Sequence, residues 1–479
     1  MNQLFCGIDI GLKTFQFYAM DQDGKAVGKP KRYPNNQTGA DQLVDHLDEL
    51  LEQQGSPALS IGMEATGLYW FPLFHTLQEN ERIKQWETRL ISMNPKIVEA
   101  FRGAYPDVDK TDPVDAFIIA DRVRFGRGIA PQHVHSEQYL ALQRLTRFYI
   151  HLTEQQTNLK NYAGSFLYLT FSEWVRTQPF SDRFSVTATK LMKKYKSADA
   201  MADLTTDELR ELLVDFSRNS FRDPEEKARQ LHQLAQDSFT IPDGLVDSVH
   251  LLVKQTLQQL ELLEKHIKRL KKRIEKIMKG IQHPLLSIPG IGSVTAALLI
   301  AEIGDVHRFP GQAQLAKYAG LTWRKQASGN FRAEETFMTK SGNSYLRHGF
   351  LIAAQSLVNH NEEYRAYYQR KFSEAPRHSH KRALSLTARK LVRLVYAMLS
   401  NNQLYMAPEE RTEQKQEVKE STEAPDESVV GETPVTQQPN SSESSEHKKV
   451  KSTAAARSSS RQKELNGSKS PPEQYAVNT

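Results

Sequence analysis

Four acidic residues near the N-terminus have the type and setting for metal-dependent phosphoryl chemistry. Asp9 closes an apolar run in Gly7-Ile-Asp-Ile-Gly-Leu-Lys13, and Glu64 follows another, Ser60-Ile-Gly-Met63. Both runs are strand candidates, and strand ends in an α/β sheet project side chains into a shared crevice. Gly7, Gly11, Gly62 and Gly67 let a backbone or a phosphate come close. Asp112 and Asp115 stand three apart at the head of a helical pattern, so their carboxylates share one face. Such hard oxygen donors suit magnesium, with manganese as the alternative. Four carboxylates brought together without a cation repel one another, so convergence would itself argue for one or two bound ions. Taken singly, each has an ordinary use: Asp112 as a helix cap, Asp115 as a partner of the helix dipole, Asp9 and Glu64 as acceptors from backbone amides.

A second constellation lies far downstream. Ser328 is followed by Gly329 and flanked by Arg324, Lys325 and Arg332. A serine so placed can attack a phosphodiester whose charge the cations stabilise. Ser341 and Ser344 are rivals for that role, in the basic, glycine-bearing stretch that carries Lys340 and Arg347. Upstream, Pro289-Gly290-Ile291-Gly292 is read as joining two helices in a helix-hairpin-helix-like element, whose exposed amides bind phosphate without reading bases.

The elements that must position these groups follow from the hydrophobic pattern. Leu4 to Ile10 and Phe15 to Met20 read as strands, with Asp21-Gln-Asp-Gly24 as a turn. Leu43, Leu47, Leu50 and Leu51 mark a helix, Ala58 to Met63 and Leu90 to Met93 two more strands, and Asn94-Pro95 and Thr111-Asp-Pro113 two helix starts. This order predicts an α/β domain over 1–135. Residues 136–283 are expected to be helical, with a coiled-coil-like stripe of Val253, Leu257, Leu260, Leu263, Ile267, Leu270, Ile274 and Ile277. That stripe suits a hairpin within one subunit or an arm that grips a second subunit or nucleic acid. A mostly helical domain is expected over 284–406. A Ser-, Glu-, Lys- and Pro-rich tail follows over 407–479, too poor in apolar residues to repay its ordering.

The chain has 479 residues, 39% of them hydrophobic, which provides a core for each domain and excludes a wholly disordered protein. A formal charge of +6 favours polyanionic partners. The single cysteine, Cys6, cannot form an internal disulfide, and no segment has signal-peptide character or the length to span a bilayer. The expectation is a soluble cytoplasmic protein without a membrane partner.

Taken together, Gly-Ile-Asp9-Ile-Gly, Met-Glu64-Ala-Thr-Gly, Lys110-Thr-Asp112-Pro-Val-Asp115-Ala, Ser-Ile-Pro-Gly-Ile-Gly292, Tyr-Ala-Gly-Leu321, Ser328-Gly and Thr-Lys-Ser-Gly-Asn343 with Leu-Arg347 resemble the DEDD-type transposases of insertion sequences. These are the IS110 family, related to Piv-type DNA invertases, and the resemblance covers residues 4–130 and 284–360. It implies a RuvC-like, RNase H-type N-terminal domain whose Asp9, Glu64, Asp112 and Asp115 bind magnesium. It further implies a linking coiled coil and a C-terminal transposase domain whose Ser328 attacks DNA to form a covalent phosphoserine link. The implied partners are donor and target DNA, a bridge RNA that chooses the sites, and further copies of the chain in a homodimer or homotetramer. The Lys-Thr-Asp-x-x-Asp register selects Asp112 over its neighbour Asp109.

Three other readings fit parts of the pattern. A RuvC-like nuclease or junction resolvase would use metal-activated water and no serine. An actin- or sugar-kinase-like phosphotransferase shares the Gly7–Lys13 loop, but a second phosphate loop and an adenosine motif are missing. A nucleic-acid-binding scaffold would keep the carboxylates as structural groups.

Overall fold

The computed structural model describes residues 3–55, 58–127, 137–323, 337–374, 377–407 and 410, with 327–328 and 331–332 described by backbone alone. The N-terminal sheet is built from β1 (Gln3–Ile10), β2 (Thr14–Met20), β3 (Lys31–Pro34), β4 (Ala58–Glu64) and β5 (Glu87–Met93). Its order is β3-β2-β1-β4-β5. The first three strands are antiparallel neighbours, and β4 and β5 run parallel to β1. This is the order of an RNase H-like sheet. Helix α1 (Gln37–Gln54) follows β3, and α2 (Trp70–Glu79) and α3 (Glu81–Lys84) lie between β4 and β5. Helices α4 (Pro95–Arg102) and α5 (Asp112–Phe125) come after β5.

The period of two in a strand sorts side chains to the two faces of the sheet. Leu4, Cys6 and Ile8 of β1 and Leu59, Ile61 and Met63 of β4 share a core with Leu43, Leu47 and Leu51 of α1. Phe5, Gly7 and Asp9, and likewise Ser60, Gly62 and Glu64, therefore belong to the opposite face, where α5 packs through Ile118, Ile119 and Val123. There the glycines decide how close the helix comes. A β-carbon at Gly7 would run into the Ala116 carbonyl oxygen and the Ala120 nitrogen, and one at Gly62 would meet Val123, Met93 and Ile119. Each glycine sits two residues before a carboxylate on the same face. Close contact of α5 with the sheet thus brings the first turn of α5 beside the strand ends that carry Asp9 and Glu64. Gly7→Ala is expected to cost about 1–3 kcal/mol through overpacking against helix backbone. Denaturant unfolding measures this, and an unchanged midpoint would show that α5 has room to retreat.

The middle of the chain is helical: α6 (Glu137–Thr170), α7 (Ser172–Thr177), α8 (Val186–Lys194), α9 (Ala198–Ala202), α10 (Thr206–Ser217), α11 (Pro224–Gln236) and α12 (Asp243–Met278). The 34-residue α6 and 36-residue α12 pack along each other. The apolar stripe of α12 divides its work. Val253, Leu257 and Leu260 join a core with Trp174, Leu191, Leu213 and Leu231, while Ile274 and Met278 join the C-terminal core. Leu263, Ile267 and Leu270 between them are half-buried.

The C-terminal part contains α13 (Ser293–Ile303), α14 (Gln312–Ala319), the short strands β6 (Ala327–Ser328) and β7 (Phe331–Arg332), α15 (Ser344–His360), α16 (Glu362–Ser373) and α17 (Ser379–Asn401). The first arm expected for the helix-hairpin-helix-like element is only a 3₁₀ turn, Leu285–Ser287. Pro289 disfavours helical backbone at Ile288, which is extended, so only Leu285–Ser287 can turn. Gly290, at φ 91°, packs against α15, and its carbonyl accepts a 2.7 Å hydrogen bond from Ser356 Oγ. The expectation of a disordered tail falls outside the described residues from 411 onward. Among the described residues, no helix is long and apolar enough to cross a membrane.

Candidate active site

The β1–β4 register pairs Ile8 with Met63, so the next residues, Asp9 and Glu64, end adjacent strands side by side. Asp112 is the first residue of α5 and Asp115 lies one turn on; the cap position itself belongs to Thr111, so Asp112 is not the cap. The other three carboxylates act electrostatically on Asp9. Burial, then the charges of Asp115, Asp112 and Glu64, push the Asp9 carboxyl up from its ordinary 3.8 to about 6, against a hydrogen bond from the Ile10 amide that lowers it. Asp109, exposed in the loop before α5, is not among the groups acting on Asp9.

As they stand, the acids are near one another but not drawn to one point. Among the described residues no three acidic, histidine or cysteine side chains form a ligating group. Cations and a hydroxyl of the protein hold three of them. Arg32 of β3 donates to Asp112 Oδ2 at 2.7 Å, Arg102 at the end of α4 pairs with Asp115, and Thr66 Oγ1 donates to Glu64 Oε1 at 2.5 Å. The Arg32 pair is more than half exposed and contributes at most about 1 kcal/mol. Rotating that side chain away costs little. A hard-oxygen donor set in which one acid is pushed up by burial and then by its like-charged neighbours fits a divalent cation.

The raised Asp9 carboxyl sets a pH dependence. It binds its proton more tightly in the folded state, so its contribution to stability is present below about pH 4 and is lost as pH rises through about 6. Metal-free protein is therefore expected to lose stability across that window. Manganese binding, which needs the ionised form, should tighten across it. Thermal unfolding and a binding isotherm at pH 5 and pH 7.5 measure the two trends, and equal manganese affinity at both values would contradict them.

In the C-terminal part, Ser328 pairs with Phe331 in the β6–β7 ladder. The side chains of Ser328, Arg324, Lys325 and Arg332 lie outside the described residues. The base of this excursion is described: Trp323 bridges Met338, the Thr339 amide donates to the Thr322 carbonyl at 2.8 Å, and the two threonine hydroxyls are 3.0 Å apart. Lys340 is exposed, with φ of 49°. Arg347 is engaged internally, its Nη1 donating to the carbonyls of Ala319 and Lys340. The rivals Ser341 and Ser344 are both exposed. Gly292 caps α13 without a side-chain bond to its first amides and is exposed, while Gly290 is half-buried against α15.

Several residues that organise the site escaped the sequence reading. Arg102 comes from the helix begun at Asn94-Pro95, named there only for its fold, and Arg32 from β3, a strand not named there. Glu302 is fully buried in α13 and accepts from Arg147 of α6 through Nε at 2.6 Å and Nη2 at 2.8 Å. One turn earlier, Arg144 lies over the Phe71 ring of α2 at 5.3 Å, so α6 touches both the N-terminal and the C-terminal parts. The available signal was Glu302 itself, a lone acid inside the apolar run Ala296 to Ile303, since a buried charge needs a partner.

A DEDD-type IS110 family model, described as Transposase, matches residues 6–172, and the model Transposase IS116/IS110/IS902 family matches residues 282–369. The Insertion element IS110 uncharacterized 43.6 kDa protein of Streptomyces coelicolor is 25% identical, covering 84% of this chain and 95% of that protein. The Insertion element IS116 uncharacterized 44.8 kDa protein of Streptomyces clavuligerus is also 25% identical, over 84% of this chain and 96% of its own length. Among solved structures, T. thermophilus RuvC in complex with Holliday junction substrate aligns at 12% identity and a TM-score of 0.20, over 27% of this chain and 99% of that one, a likeness too slight to carry a conclusion. Two models of one family match in chain order, and relatives from insertion elements align along most of its length: the chain belongs to the IS110-family transposases.

Proposed function

We propose that this transposase cuts and rejoins donor and target DNA with two sets of groups: Asp9, Glu64, Asp112 and Asp115 as ligands for magnesium or manganese, and Ser328 as the nucleophile. The observation that carries the metal half is the placement of Asp9 and Glu64 side by side at adjacent strand ends, with Asp112 and Asp115 on the α5 turn close enough that, after burial, the charges of all three raise the Asp9 carboxyl. A bound divalent ion supplies Lewis-acid stabilisation of the phosphoryl charge. The protein's own groups do the rest. The serine oxygen forms a bond to phosphorus as a sugar oxygen leaves, and the phosphoserine ester conserves the bond so that another strand end can reclaim it. Arg324, Lys325, Arg332, Lys340 and Arg347 supply positive charge for the DNA backbone, and the amides after Gly292, at the head of α13, supply phosphate contacts that read no bases; the Ile291 amide after Gly290 is already spent on the Ile288 carbonyl.

The same reading keeps the domain limits 1–135, 136–283, 284–406 and 407–479, assigns choice of site to a bridge RNA, and takes a homodimer or homotetramer as the working form. The family matches and the basic C-terminal loops support it. The test is a recombination assay with the full chain, the element's noncoding RNA and supercoiled donor and target plasmids. Joined products together with a protein–DNA adduct that survives denaturation are expected only when magnesium and RNA are both present. Products formed equally well without RNA would remove the guide from the reading.

A further inference from the structure

Glu302 is an acid with no exposed surface, in a helix whose other residues from Ala296 to Ile303 are all apolar. Besides Arg147, it accepts a hydrogen bond from Gln143 at 3.3 Å and one from Asn343 Nδ2 at 2.7 Å. Asn343 is the cap of α15: its Oδ1 accepts from the Leu346 amide at 3.0 Å, and its own amide donates to the Tyr318 carbonyl at 2.7 Å. The segment 337–343 is thereby fixed at one end to Glu302 and at the other to Thr322 and Trp323. The chain between Trp323 and Phe337 carries Ser328, and the described residues that flank it, Thr322 and Trp323 on one side and Met338 and Thr339 on the other, are paired with each other.

We propose that Glu302, clamped by Arg147 and bonded to Asn343, is a positioning residue that sets where the Ser328 hairpin stands relative to the scissile phosphate. The inference rests on the serine reading of the reaction and adds to it a route from α6 to the nucleophile. A buried carboxylate with a bidentate arginine has little freedom, and a hydrogen bond from it to a cap residue transmits that rigidity to the loop. The same helix α6 carries Arg144 against Phe71, so the brace is anchored to an element that also meets the N-terminal part.

The test separates position from stability by leaving the cap in place. Asn343→Ser still caps α15 but is too short to reach Glu302, and Asn343→Asp caps it while replacing the donor with a second carboxylate. The double variant Glu302→Gln with Asn343→Asp restores one donor–acceptor pair in the reverse direction and keeps one negative charge in the pair. With the full chain, guide RNA and donor plasmid, adduct formation at saturating DNA is expected to slow about 10²-fold in both single variants. DNA affinity should stay near wild type in both, as should the unfolding midpoint of Asn343→Ser; Asn343→Asp, which sets a second carboxylate against a buried one, should unfold earlier, and the double variant should recover most of the midpoint and of the rate. A wild-type adduct rate in Asn343→Ser would overturn the proposal. Should the wild type cleave without any adduct, and Ser328→Ala cleave equally well, the serine reading fails first and the positioning role falls with it.

Discussion

Asp9→Asn is expected to reduce magnesium-dependent strand cleavage by about 10³-fold or more, the scale on which a group central to phosphoryl-transfer electrostatics acts. Asp9 is the acid on which the charges of Asp115, Asp112 and Glu64 converge, and an amide in its place is neutral and a weak ligand. The same change removes a like charge from the cluster. Metal-free Asp9→Asn protein should therefore unfold no earlier than wild type at pH 7.5, while its manganese binding weakens. That combination, with activity lost and stability kept, is one that misfolding does not produce. Cleavage at the wild-type rate would show that the carboxylates are structural and place the chemistry elsewhere.

Ser328→Ala is expected to abolish the covalent protein–DNA adduct and to lower recombination by about 10³-fold or more, as loss of a nucleophile does. The hydroxyl is lost from a short β6–β7 ladder, so the unfolding midpoint and DNA affinity should change little. Two other outcomes are informative. Cleavage that survives in Ser328→Ala but not in Asp9→Asn would make water the nucleophile and the protein a metal-dependent nuclease. An adduct that survives would pass the role to Ser341 or Ser344, which peptide mapping of the adduct identifies.

Much of the N-terminal part could be read from residue patterns because each signal there is local. The run from Leu4 to Ile10 is strand β1, Asn94-Pro95 starts α4 with the Asn94 side chain accepting from the Lys96 amide, and Thr111-Asp-Pro starts α5. The hairpin around Gly290 was less legible, since Pro289 holds Ile288 extended and cuts the helix that hydrophobicity alone favours to a 3₁₀ turn. The α12 stripe was visible as a period but not in its partners. Val253 and Ile274 are both apolar and both buried, yet they serve two different cores.

From its residues alone, this chain specifies which groups are able to do chemistry: hard oxygen donors two positions after a glycine at two strand ends, an acidic first turn on α5, and a Ser-Gly pair among cations. Spacing of two or three residues is enough to say that such groups share a face, because strand and helix periods are fixed by backbone geometry. What answers those groups was decided by tertiary contact. Arg32 and Arg102 reach the aspartates from elements 80 and 13 residues away, and Arg147 reaches Glu302 across 155 residues. Burial and electrostatic partnership depend on distance through space, and a linear pattern carries that distance only where the chain is its own neighbour.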